Sequence, residues 1–258
     1  MTCDRHLAED GRGGHGAPAA GCQKRCFSVA ASGLLGSCLL LSGCDGPLSA
    51  LSPAGPSAQV AAWLWWGMFG FFALVLVVVV CLWLYALRRE PGQVSDADAQ
   101  RLQNRWVIGG GLLLPSISIV VILVTGIALG QRMLPLAPPT GEVLRIEVTA
   151  HQWWWAVHYP DSNIRLKNEL HMPAGVPVDL HLDSADVVHS FWVPRLGGKM
   201  DMFPGRTNVL RLEADAPGRY HGICSEFCGR GHTAMHFTVT AHSAADFARW
   251  LEERQGND

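Results

Sequence analysis

Two thiols, a carboxyl group, an imidazole and a thioether fall within one short stretch near the C-terminus, Cys224-Ser-Glu-Phe-Cys-Gly-Arg-Gly-His-Thr-Ala-Met235. Their order is Cys-x-Glu-x-Cys-x3-His-x2-Met. Thiolate, imidazole and thioether are soft donors, and together they suit copper in a site that moves electrons. A structural zinc site would usually supply a second Cys/His pair at zinc-finger spacing and would have little use for Met235. A disulfide between Cys224 and Cys228 is the other reading, open to a chain in an oxidising compartment, but it leaves His232 and Met235 unexplained. Copper accounts for more of the residues. A mononuclear blue-copper site needs one Cys, two His and a weak axial Met. Here there are two Cys, and a distant imidazole, His189, sits in Asp186-Val-Val-His-Ser-Phe-Trp-Val-Pro194.

This constellation resembles the dinuclear copper-A centre of cytochrome c oxidase subunit II. The resemblance extends from about Ala61 to Leu251 and is strongest over His189–Gly205 and Gly218–Met235. It implies that Cys224 and Cys228 bridge two copper ions and that each ion takes one imidazole, from His189 or His232. Met235 would complete one ion and the backbone carbonyl of Glu226 the other. Two bridging thiolates spread the odd electron over a rigid core, so that little reorganisation accompanies its transfer. The Glu226 side chain matches a carboxylate that holds magnesium at the border with subunit I. One carboxylate cannot hold a hydrated Mg2+ alone, so the remaining ligands would come from the other chain and water. Lys199 and Asp201 match positions near the same border.

His151-Gln-Trp-Trp-Trp155 continues the first strand in this reading, which turns Trp154 to the core and leaves Trp153 and Trp155 on the polar face. By the resemblance Trp153 is where an electron from cytochrome c arrives, with barrel and membrane packing left to Trp154 and Trp155. Cytochrome c is basic, and from Thr140 onward 15 Asp and Glu stand against 11 Lys and Arg, a mild acidic excess that would steer such a partner. Asp186 matches a docking carboxylate of the family; Asp161, Asp179 and Asp183 are further candidates. His158, His171, His181, His221, His236 and His242 fit no ligand spacing, although His221 and His236 flank the metal loop and are candidates to support its ligands. Phe191, Trp192, Phe227 and Phe237 are the expected apolar shell. Many relatives carry a Glu before the second span that feeds protons to subunit I; here that position is Gln103.

The elements that must position these residues follow from composition and pattern. Of the 258 residues 49% are hydrophobic, which leans towards a membrane protein, and no basic run suggests nucleic acid. The eight cysteines scatter, six of them in the N-terminal third, so they form no disulfide framework. No Cys-x-x-Cys-His occurs, so this chain attaches no c-type heme. Residues 1–43 read as a signal peptide of lipoprotein type: Lys24 and Arg25 precede an apolar run, and Leu41-Ser-Gly-Cys44 resembles a bacterial lipobox, with Cys44 the lipidated residue. Residues 44–60 form a leader outside the cytoplasm. A transmembrane hairpin occupies 61–133, with spans at about 61–87 and 107–129, each long enough for a bilayer core that needs about 20 residues. Pro115 is expected to kink the second span, and Gly109, Gly110 and Gly111 to let a neighbouring helix approach. Arg88, Arg89, Arg101 and Arg105 place the polar loop between the spans in the cytoplasm and both ends in the periplasm.

After a Pro-rich linker, Leu134 to Gly141, the period changes to two. Leu144, Ile146, Val148 and Ala150 alternate with polar residues; Val176, Val178, Leu180 and Leu182 do likewise, as do Leu210 with Leu212 and Met235 with Phe237 and Val239. Short strands punctuated by Pro173-Ala-Gly175, Pro204-Gly205 and Ala216-Pro-Gly218 imply a sandwich or barrel over 140–258. The resemblance sharpens this to an all-β, cupredoxin-like Greek-key barrel. A closing helix is capped by Ser243 and packs through Phe247, Trp250 and Leu251.

The implied function is that of the electron-accepting subunit of a respiratory terminal oxidase in the bacterial inner membrane. It would take electrons from cytochrome c at the copper pair and pass them to heme in subunit I, where oxygen becomes water with proton translocation. Partners would be subunit I, subunit III, cytochrome c and membrane lipid. Two rivals differ in class. A quinol-oxidising subunit II would keep hairpin and barrel but lack the copper ligands, and an anchored copper carrier or sensor would need no two-span hairpin.

Overall fold

The computed structural model describes residues 45–90, 92, 95–131, 134 and 143–255. The signal segment 1–43, Cys44 and most of the Pro-rich linker lie outside the described residues.

Helix α1 (Pro56–Arg88) begins with proline, whose fixed φ and missing N–H suit the first turn. At 33 residues it is about 50 Å long, more than a bilayer core of about 30 Å requires. The second apolar helix starts earlier than the sequence suggests. The polar stretch expected as loop is helical from Asp96, because the Ser95 hydroxyl accepts from the Asp98 N–H at 3.3 Å and Asp96 and Asp98 occupy the first turn, where the helix dipole favours negative charge. Helix α2 (Asp96–Trp106) runs into a widened π segment, Val107–Leu113, and then α3 (Leu114–Gly130). Pro115 cannot donate to the preceding turn; the distortion appears just upstream, where the Leu114 N–H reaches back to the Gly109 carbonyl. Both helices are long and apolar enough to cross a membrane. Gly109, Gly110 and Gly111 have open space where a side chain would stand.

Among the described residues ten strands follow: β1 (Leu144–His151), β2 (Trp154–Tyr159), β3 (Ile164–Lys167), β4 (Glu169–Pro173), β5 (Val178–Ser184), β6 (His189–Trp192), β7 (Met200–Met202), β8 (Asn208–Leu212), β9 (Gly218–Cys224) and β10 (His236–His242). They form two five-stranded sheets, ordered β3-β2-β1-β5-β8 and β4-β10-β9-β6-β7. The pairs β1–β5 and β4–β10 are parallel, and the other pairs are antiparallel. Alternation places Ile146, Val148, Leu180 and Leu182 from one sheet and Phe191, Met202, Phe237 and Val239 from the other in a shared core. This is the all-β sandwich expected.

Two strand readings need correction. The first strand does not continue to Trp155: His151 pairs with Trp154, so the chain reverses at Gln152 and Trp153. The reversal inverts the alternation. Trp155 is fully buried against Phe191 and Phe237, while Trp154 lies half-buried outside, stacked on His151 at 4.3 Å with Lys167 Nζ over its ring. Val176 is exposed and precedes β5, because Gly175 takes a positive φ of 76° that turns the chain before the strand begins.

The leader is strapped to the barrel through its backbone. The Ala54 N–H donates to the Arg195 carbonyl at 2.7 Å, and the Asp215 N–H donates to the Ala54 carbonyl at 2.9 Å. Arg195 Nε adds a bond to the Ser52 carbonyl.

Helix α4 (Ala244–Gln255) closes the barrel. Ser243 caps it, accepting from the Asp246 N–H, and buried Phe247 anchors it. Trp250 stacks on His171 at 4.4 Å, and His171 Nδ1 lies 2.8 Å from His242 Nε2. Burial, reinforced by His242, pushes His171 down to about 4 against the pull of Glu169; burial lowers His242 too. The His171 ring therefore stays neutral in the fold, and between pH 6.5 and about 4 the unfolded chain binds a proton that the folded chain does not. The melting temperature is expected to be flat in this respect above that window and to fall through it as the pH drops. His171→Gln should reduce that slope in a melting series from pH 7 to 4.

Candidate metal centre

Strand β9 ends at Cys224, and the loop that follows returns through a single tight turn, His232–Ala234, to Met235 and β10. The Cys224 N–H donates to the Met235 carbonyl at 3.0 Å, which closes the base of the loop, and the Ser225 N–H donates to the Ser190 carbonyl at 2.9 Å, which ties it to β6. Strand β6 carries His189 into the same pocket from the neighbouring edge, paired with Met202 of β7.

Six donor atoms gather there. Cys224 Sγ and Cys228 Sγ lie 3.8 Å apart, too far for a disulfide, and both thiols are free. His189 Nδ1 is 3.8 Å and the Glu226 carbonyl oxygen 3.2 Å from Cys224 Sγ. His232 Nδ1 is 3.6 Å and Met235 Sδ 3.8 Å from Cys228 Sγ. The thiol pair thus has one imidazole and one weaker donor beside each sulfur. His189, Cys224, Cys228 and Met235 are buried. Burial, with the adjacent Cys224 thiol adding to it, pushes the Cys228 thiol up to about 12. A thiol so placed gives up its proton only to a cation that replaces it. Donor set and geometry fit a soft metal ion, and copper above others.

Asp186 does not serve as a free surface carboxylate. Its Oδ1 lies 2.8 Å from His189 Nε2 and accepts from the Val187 N–H at 2.7 Å; its Oδ2 accepts from the Gln152 N–H at 2.7 Å. Burial alone would raise its pKa, but these bonds outweigh burial and hold the carboxyl below the ordinary value. An ionised carboxylate only accepts, so His189 Nε2 carries a proton and Nδ1 is the ring nitrogen turned to the sulfurs. The Asp-x-x-His spacing is a readable signal for this pairing, and the structure gives Asp186 this role in place of the free docking carboxylate expected.

Trp153 is 40% exposed, yet its Nε1 donates to the Cys228 carbonyl at 3.2 Å, so a surface indole touches the backbone of a candidate ligand. Trp155, expected on the polar face, is instead the aromatic neighbour of His189, with ring centroids 6.3 Å apart. Of the expected shell, Phe191 and Phe237 are buried and Trp192 is half-buried, but Phe227 is 75% exposed at the loop tip. It points outward because the residues on either side of it turn their donor atoms inward. His221 and His236 are exposed on the outer face of their sheet and do not reach the loop ligands. Their strand positions alternate with Gly222 and Phe237, which face the core.

The Glu226 side chain turns away from the sulfurs and accepts from the Phe227 N–H at 3.3 Å. Lys199 and Asp201 form an ion pair 3.6 Å long, each about half exposed. Asp179, another docking candidate, is taken by Arg211 in a two-pronged pair at 2.7 Å, which leaves it little free charge.

Residues 162–242 match the profile of the family described as cytochrome c oxidase subunit II, periplasmic domain. The chain is 37% identical to cytochrome c oxidase subunit 2 of Alkalihalophilus pseudofirmus over 83% of its own length, and it spans 65% of that relative. It is 33% identical to quinol oxidase subunit 2 of Bacillus cereus, over 90% of this chain and 82% of that one. Among solved structures it resembles the periplasmic domain of subunit II of cytochrome oxidase (CoxB) of Bradyrhizobium japonicum, with 29% identity, 46% of this chain and 97% of that chain covered, and a TM-score of 0.43.

Met235 separates ligation from packing. Met and Leu have similar volumes, so Met235→Leu should cost less than about 1.5 kcal/mol of stability in the metal-free chain. The same change removes the thioether, and copper retention against a competing chelator should fall. Equal retention by both proteins would exclude Met235 as a donor.

Proposed function

The chain belongs to the oxidase subunit II family, and from that premise we propose that it is the electron-accepting subunit of a cytochrome c-oxidising heme–copper oxidase. The observation that carries this reading is the convergence of two buried thiols with an imidazole and a weaker donor beside each. His189, Cys224, Cys228, His232, Met235 and the carbonyl of Glu226 would hold a dinuclear copper centre. When bound, the copper pair supplies a one-electron store whose geometry changes little on reduction.

The chain's own residues do the rest. Trp153 presents an indole to the donor protein, and its hydrogen bond to the Cys228 carbonyl supports a short path inward. Asp186 orients His189, and Trp155, Phe191 and Phe237 keep water from the sulfurs. Electrons would leave for heme in subunit I, where oxygen is reduced with proton translocation. Glu226 would share magnesium with that subunit. Both apolar helices would cross the inner membrane and pack on subunit I, with subunit III and lipid as further neighbours, and the barrel would stand in the periplasm. Residues 1–43 would be a cleaved signal peptide and Cys44 the lipidated first residue.

A quinol-oxidising subunit is the second reading, favoured by the relative of that name. The soft donor set argues for copper over quinol, because a subunit taking electrons from quinol has no use for a pocket that gathers two thiols, two imidazoles and a thioether.

Electron paramagnetic resonance of the copper-loaded full-length chain tests the proposal. One electron shared over two copper nuclei gives a multiline pattern richer than that of a single ion, and this is the outcome expected. A single-ion pattern, or no copper uptake, would overturn it.

A further inference from the structure

The turn between β1 and β2 touches both halves of the metal pocket at once. The Gln152 side chain donates through Nε2 to the Cys228 carbonyl at 2.7 Å, and Trp153 Nε1 donates to the same oxygen at 3.2 Å. The backbone N–H of Gln152 donates to Asp186 Oδ2, and Asp186 Oδ1 holds His189. Among the described residues, and apart from the contacts of the candidate donor atoms with one another, these two side chains supply the hydrogen bonds that reach residues 226–231 from outside the loop. The loop is shaped to receive them. Gly229 has a φ of 117°, and a side chain there would stand 3.1 Å from Gln152 Nε2; one at Gly231 would stand 2.5 Å from the Trp153 ring. A carbonyl oxygen has two lone pairs, so one peptide group can hold both donors, and the Gln152 contact is the shorter.

We propose that Gln152 is a positioning residue: its carboxamide clamps the Cys228 peptide, fixing the metal loop and the Trp153 indole in one arrangement while its own backbone braces the carboxylate that orients His189. Through this one residue, the surface indole and the ligands on both strand systems share a common reference. The inference rests on the proposed function only in its electron-transfer part; the clamp itself is a property of the metal-free chain.

Two variants separate the contact from the fold. Gln152 is exposed, so Gln152→Met, which keeps the length and removes the donor, and Gln152→Glu, which replaces it with an acceptor, should both leave the barrel intact. Amide hydrogen exchange of the metal-free full-length chain in detergent should rise about fivefold over residues 226–232 in Gln152→Met, the change that one net hydrogen bond carries. It should rise further in Gln152→Glu, with β1 and β5 unchanged. In the copper-loaded oxidase complex, electron uptake from reduced cytochrome c should slow in both variants. Uptake from a small inorganic reductant, which needs no indole, and onward transfer to heme should hold their wild-type rates. Unchanged exchange in both variants, or equal slowing with both reductants, would overturn the assignment. Failure of the underlying reading shows separately, as a wild-type chain that binds no copper, and the exchange measurement then still decides the clamp.

Discussion

The structure depends on keeping two thiols side by side, 3.8 Å apart, in a pocket from which water is removed. Sulfurs placed in this way repel one another once ionised, and burial resists their ionisation. Among the described residues no cation offsets this in the balance at Cys228: the ionised carboxylate that acts on it, Asp186, has an effect of the same sign as burial. The fold must therefore hold the pair by geometry alone until a cation arrives. Both sheets contribute. The loop is closed at its base by the Cys224 and Met235 backbones, tied to β6 through Ser190, and floored by Phe191 and Phe237.

This explains why the site lies at one end of a sandwich. Donors from a single loop would leave the pocket open on the side facing β6. Strand β6 fills that side with His189, and the β1–β2 turn of the opposite sheet covers the outer edge with Gln152 and Trp153. Only a folded barrel brings positions near 152, 189 and 228 together. Preorganisation of this kind lowers the ordering cost of binding a metal, because the ligands already stand close to their working positions.

Local information was the readable part. Both long apolar helices, the sandwich and the closing helix follow from apolar run length, hydrophobic period and turn residues, and five of the gathered donor atoms lie within Cys224–Met235. The rest was hidden for reasons particular to each place. Gln152 and Trp153 are not turn formers, and no Gly, Pro or Asn marks the reversal, so the alternating pattern runs on through them and inverts the expected tryptophan faces. That error also hid the contacts of Gln152. Phe227 has the chemistry of the apolar shell around the metal, but its alternation with inward-facing donors turns it outward. The helical start at Asp96 came from a cap whose strength a polar composition disguises.

The strap between leader and barrel has a consequence for how the sequence is free to drift. Apart from the Arg195 side chain, it is made from amide and carbonyl groups, which every residue except proline supplies in full. Substitutions at Ala54 or Asp215 can therefore accumulate with the bridge retained. Gly55 has no such latitude, since a methyl group there would come within 2.3 Å of the Glu213 carbonyl oxygen and 2.9 Å of that of Leu196. Variation among descendants of this chain should thus be generous along the strap and absent at its one glycine, where the backbones meet too closely for any side chain.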